Sequence, residues 1–91
     1  MDEPDPFTWI QYRVRWDTWD QAGEELAPTL ARAQAFLASY LNRPGIADAW
    51  IERRIVTDWS DGRKLTSRWY LSASDIVREL VNQLRISLKV T

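Results

Sequence analysis

Side chains able to do acid–base or nucleophilic chemistry are scarce in this sequence: its 91 residues include no histidine and no cysteine, against six tryptophans. Without imidazole or thiol, those roles fall to carboxylates, lysines and tyrosines. The carboxylates that stand close in sequence, Asp17 with Asp20 and Asp58 with Asp61, bracket turn-like stretches, where aspartates ordinarily serve the local backbone. No Asp-x-Asp-x-Asp-Gly loop offers oxygen ligands to calcium. Gly23, Gly45 and Gly62 are too scattered for a Walker loop or a dinucleotide fingerprint. The expectation is a protein that is not an enzyme, with no catalytic residue, metal, cofactor or small-molecule substrate indicated.

Tryptophan, tyrosine and arginine supply recognition chemistry instead, and the elements that carry them decide which are available. Thr8 to Trp16 alternates, with Ile10, Tyr12, Val14 and Trp16 on one side and Trp9, Gln11, Arg13 and Arg15 on the other, which predicts a half-buried strand. Glu24 to Ala27 reads as a short returning strand. Pro28 at a first helical position, Leu30, Ala33, Leu37 and Leu41 at helical spacing, and a stop at Arg43-Pro44-Gly45 predict a helix from Pro28 to Asn42. Ile46 to Trp59 is rich in β-branched and aromatic residues and runs into Ser60-Asp61-Gly62, a hairpin signal.

Side-chain polarity discriminates between loop lengths in that hairpin. A three-residue loop with a left-handed Gly62 places Leu65, Trp69 and Leu71 on the face of Thr57, Arg53 and Ile51, and a two-residue loop scrambles it. Arg53 on that inner face is expected to stack on Trp69. Ser72 to Asp75 resembles a helix cap, and Ile76, Val77, Leu80, Val81 and Leu84 extend an amphipathic helix, favoured to about Leu88, although Ile86, Leu88 and Val90 also alternate like a strand. The fold class is thus a single small α+β domain, spanning 1–91 with residues 1–6 disordered. Its small antiparallel or mixed sheet, ordered strand, helix, β-hairpin, helix, carries both helices on one face.

In these registers the face opposite the helices carries Trp9, Arg13 and Arg15, then Trp50, Glu52, Arg54, Val56 and Asp58, then Lys64, Thr66, Arg68 and Tyr70. The candidate partner-binding residues are Trp9, Arg13, Arg15, Trp50, Arg54, Arg68 and Tyr70. Trp19 ranks behind them, in a turn where an exposed aromatic would be unusual. Trp16, Trp59 and Trp69 are expected in the core or at its margin. Such a face suits a protein partner, whether another protein or a second copy in a homodimer, because these residue types dominate interface hot spots. The alternative is single-stranded nucleic acid, with aromatics stacking bases and cations meeting phosphates. A merely solvated face, with arginine stems lying over the rings, would look the same.

Charge is unevenly placed for a net of −1: Asp2, Glu3, Asp5, Asp17, Asp20, Glu24 and Glu25 outnumber Arg13 and Arg15 before Arg32, and bases outnumber acids after it. The acidic, proline-broken start is unlike a secretory signal, and no apolar run approaches the roughly 18 residues needed to cross a bilayer. With no cysteine, a soluble, cytoplasmic protein with no membrane partner is expected.

Arg43-Pro44-Gly45-Ile46 and the run from Trp50 to Trp59, after the helix Leu-Ala-Arg-Ala-Gln-Ala-Phe-Leu and a Tyr-x-Val strand, resemble small accessory proteins of actinobacterial phages and prophages. The resemblance covers Thr8 to Trp59. It implies a viral or mobile-element setting and a host or phage protein as partner. It implies no reaction, and it assigns no residue a role.

Overall fold

The computed structural model describes the backbone of residues 5–90 and the side chains of residues 5–83. Its elements are β1 (Pro6–Thr18), β2 (Ala22–Ala27), α1 (Leu30–Leu41), β3 (Ile46–Trp59), β4 (Lys64–Thr66) and α2 (Ala73–Val90). The strands form one antiparallel sheet in the order β2-β1-β3-β4, and both helices pack on the same side of it. The α+β architecture expected from the sequence is the one observed. Strand β1 begins at Pro6, the last residue of the segment expected to be disordered, and residues 1–4 of that segment lie outside the described residues. Among the described residues no helix is long and apolar enough to cross a membrane.

The core lies between α1 and the sheet. Val14, Ala27, Ala33, Tyr40 and Ala49 are buried there, with Tyr12, Trp16, Phe36, Leu37, Ile46 and Ile51 packed around them. Trp16 stacks on Tyr40 with ring centres 4.3 Å apart. Its other neighbour is Gly23, directly opposite on β2, where a Cβ would fall inside the indole ring. Glycine is required at that position for space. A small domain fills its interior with large aromatics only where something gives way to them.

Helix α1 starts one turn signal later than its proline suggests. Thr29 is the N-cap, its Oγ1 accepting the Arg32 N–H at 3.2 Å, and Pro28 precedes it outside the helix. A threonine cap satisfies an orphan amide, which a proline at the first position cannot do. Leu30 and Leu41, placed on the apolar stripe by spacing, end up exposed at the helix ends. Helix α2 is capped as expected, Ser72 Oγ accepting the Ser74 and Asp75 N–H groups at 3.2 and 3.4 Å. It continues to Val90 and seats Ile76, 2% exposed, on β3.

The β3–β4 hairpin has the anticipated three-residue loop. Asp58 pairs with Lys64, Trp59 and Arg63 close the loop, and Gly62 adopts φ +93°, a left-handed conformation that costs glycine nothing. Beyond Thr66 the ladder slips. The Ile55 N–H donates to Ser67 Oγ at 2.8 Å instead of to a β4 carbonyl, and Ser67 N–H donates to Ile55 O at 2.9 Å. The next backbone pair joins Arg53 to Tyr70. Three steps of chain thus oppose two on β3, and one extra residue reverses the parity of every side chain after it.

Candidate functional site

That slip corrects three expectations at once. Trp69, expected on the helix face, lies on the opposite face against Arg13 and Arg54, their guanidinium carbons 4.1 and 4.4 Å from its ring centre. Tyr70 and Arg68, expected on the Trp9 face, stand on the helix side, where they line a hollow of about 330 Å³ with Ile55, Leu65 and Glu79. Arg68 covers the Tyr70 ring at 4.5 Å. Among the described residues Arg53 stacks on no ring, and it donates through Nη1 to Leu71 O at 2.7 Å.

The five remaining candidates do share the face opposite the helices, as strand parity requires: Trp9, Arg13 and Arg15 on β1, Trp50 and Arg54 on β3. All five are half-buried. Arg13 is the centre of a network, donating Nε to Glu52 at 2.7 Å and Nη1 to Glu24 at 2.7 Å, with its side chain 13% exposed. Arg15 reaches the same Glu52 carboxylate at 4.0 Å. Arg54 donates to Gln11 Oε1, and the Trp9 indole N–H to Asp58 Oδ2, both at 2.7 Å. Val56, opposite Trp9, is 1% exposed on this helix-free face. The face therefore has a thin packed layer of its own, in which Trp69 and the arginine stems substitute for a helix.

These contacts define what the face can do chemically. Stacking a base needs a free ring face and holding a phosphate needs an uncommitted cation, yet the Trp69 ring and the Arg13 and Arg54 guanidinium groups are already engaged with one another. The turn aspartates are likewise engaged: Asp58 accepts from Trp9 and pairs with Lys64 at 3.6 Å, and Asp61 holds Arg63 at 2.9 Å. Among the described residues, no cluster of three or more metal-ligating side chains occurs.

The tip of the β1–β2 turn is different. Trp19 is 98% exposed. The turn beneath it is well built, Thr18 N–H donating to Gln21 O at 2.7 Å and Thr18 Oγ1 accepting the Gln21 N–H at 3.0 Å. A bulge at Asp17 and Thr18 brings the start of β3 alongside, and Trp19 borders a hollow of about 320 Å³ with Gly45, Ile46 and Ala47. Strand parity assigns this residue to neither face, because a turn has no parity. The signal in the sequence was a tryptophan between Asp17 and Asp20, where packing gives it no reason to be.

One ionisable group stands out energetically. The hydroxyl of the core residue Tyr40 donates to Glu25 Oε2 at 2.6 Å in a partly buried hydrogen bond. That hydrogen bond, then burial, then the negative charge of Glu25 raise the Tyr40 pKa above the ordinary 10.0, with Arg43 acting in the opposite sense. The pair joins α1 to β2 behind the stacked rings and plays a structural part. No family model, curated protein or solved structure matches this chain.

Proposed function

We propose that the chain is a non-enzymatic protein-interaction module anchored by Trp19, with Arg15 and Trp50 on the adjoining sheet face. The observation that carries this reading is the 98% exposure of an indole on a hydrogen-bonded turn. Burying such a side chain in a partner's pocket is worth roughly 4 to 6 kcal/mol before ordering costs. Tryptophan is also the residue type most enriched among interface hot spots. Single-stranded nucleic acid is disfavoured, since the cations of the neighbouring face are paired with Glu24, Glu52 and Gln11. The resemblance to accessory proteins of actinobacterial phages supports a host or phage protein as the partner.

The test is capture from actinobacterial lysate with the intact chain and with Trp19→Ala. The substitution should leave urea stability within about 0.5 kcal/mol, as expected for an exposed side chain, and should abolish recovery of a discrete species. A species recovered equally well by Trp19→Ala, or none above background, overturns the reading.

A further inference from the structure

Strand β3 has 14 residues and β4 only 3, so the β3 edge turned away from β1 is paired at one end and open at the other. Its last backbone link is the pair Arg53 N–H to Tyr70 O at 2.9 Å and Tyr70 N–H to Arg53 O at 2.6 Å. Beyond it the chain leaves through Leu71 and Ser72 into α2. Bonding direction alternates along a strand, and Arg53 and Ile55 point toward β4, so Ala49 and Ile51 turn their N–H and C=O groups to the open side. Among the described residues no backbone partner meets them there. The Ala49 N–H alone is occupied, by Asp48 Oδ1 at 2.8 Å. From Ile46 to Ile51 the open stretch matches the usual strand length of about 5 to 6 residues, and Trp19 stands at its far end beside Ile46 and Ala47.

The charge at this edge specifies what fits. Asp17 and Asp48 are direct cross-strand partners on one face, an unfavourable juxtaposition of like charges. Neither makes an ion pair among the described residues. A cationic side chain laid over Asp48 would relieve that repulsion and draw the carboxylate off the Ala49 N–H, freeing the donor for a ladder. Two copies of this chain meeting by the same edge would instead bring two Asp48 carboxylates onto one face, so Asp48 guards against self-pairing.

We infer that the open edge of β3, Ile46–Ile51, takes up an extended, cationic segment of the partner protein by strand addition, with a lysine or arginine over Asp48 and Trp19 closing on the end of the added strand. This rests on the reading of the chain as a protein-interaction module and specifies its partner.

The experiment uses the intact chain and three short acetylated and amidated peptides: alternating lysine and valine, the same peptide with glutamate for lysine, and the lysine peptide N-methylated at alternate amides. The lysine peptide should bind, slow amide exchange at Ile51, and shift Trp19 fluorescence. N-methylation, which keeps the charge and removes ladder donors, should weaken binding by about tenfold or more, equivalent to roughly 1.4 kcal/mol. Asp48→Asn, which retains the oxygen that accepts from Ala49, should also weaken it about tenfold. No binding of the lysine peptide, equal binding of the glutamate or N-methylated peptide, or self-association through this edge overturns the proposal. If the peptides fail while capture still depends on Trp19, the edge proposal falls and the interaction reading stands; if capture survives Trp19→Ala, the interaction reading itself falls.

Discussion

Tyr70, and not Trp69, stands opposite Arg53, joined to it by two backbone hydrogen bonds of 2.9 and 2.6 Å. One extra residue between Ser67 and Tyr70 exchanges the faces that the two aromatic rings occupy. Trp69 thereby becomes the cover of Arg13 and Arg54, and Tyr70 the floor under α2.

Trp69→Ala should therefore destabilise the fold by about 2 to 3 kcal/mol, combining lost apolar burial with two cation–π contacts. Urea unfolding measures it. A cost below about 0.5 kcal/mol would mean that Trp69 packs on nothing of consequence.

Glu52 accepts from Arg13 and lies within reach of Arg15, so Glu52→Ala leaves a largely buried guanidinium with Glu24 as its remaining carboxylate. The expected loss is about 1 to 3 kcal/mol. Adding Arg13→Met should recover part of it, because the uncompensated charge goes with the arginine. A double variant less stable than Glu52→Ala alone would contradict this.

Gly23→Ala should cost about 1 to 3 kcal/mol by forcing the Trp16 indole off β2 and out of its stack on Tyr40. Near-ultraviolet circular dichroism should lose the signal of that stacked pair. Gly45→Ala, at φ +87° with open space around it, is the comparison that separates clash from backbone strain.

Tyr40 predicts an alkaline transition. Its folded pKa is raised by the bond to Glu25 and by burial, so the native state holds the proton more tightly than the unfolded state does. The stabilisation is complete below the ordinary tyrosine value of 10.0 and is lost as pH rises through the higher folded value. Stability of the intact chain should fall in that window more steeply than that of Tyr40→Phe. In ultraviolet titration, Tyr40 should ionise at higher pH than an ordinary tyrosine. Identical alkaline profiles for the two proteins would rule out the linkage.

Much of the architecture was legible because it rests on local rules. Period-two alternation placed Ile10, Val14 and Trp16 inward, and Asp61-Gly62 specified a loop whose left-handed residue only glycine adopts freely. The face of Trp9, Arg13, Arg15, Trp50 and Arg54 followed from the same parity. Strand parity breaks where the ladder does: Ser67 Oγ takes the Ile55 N–H, a side chain competing with backbone pairing, and nothing before the fold declares which will win.

Element order, the absence of imidazole and thiol chemistry, and the turn that carries Trp19 are properties of the sequence. Which rings and charges remain available is a property of the folded chain, because availability is set by neighbours from distant segments. Glu24, Glu52 and Trp69 engage Arg13, and Gln11 and Trp69 engage Arg54, across strands far apart in the chain. Among the described residues Trp19 has no such neighbour to cover it, and the short β4 leaves an open edge beside it.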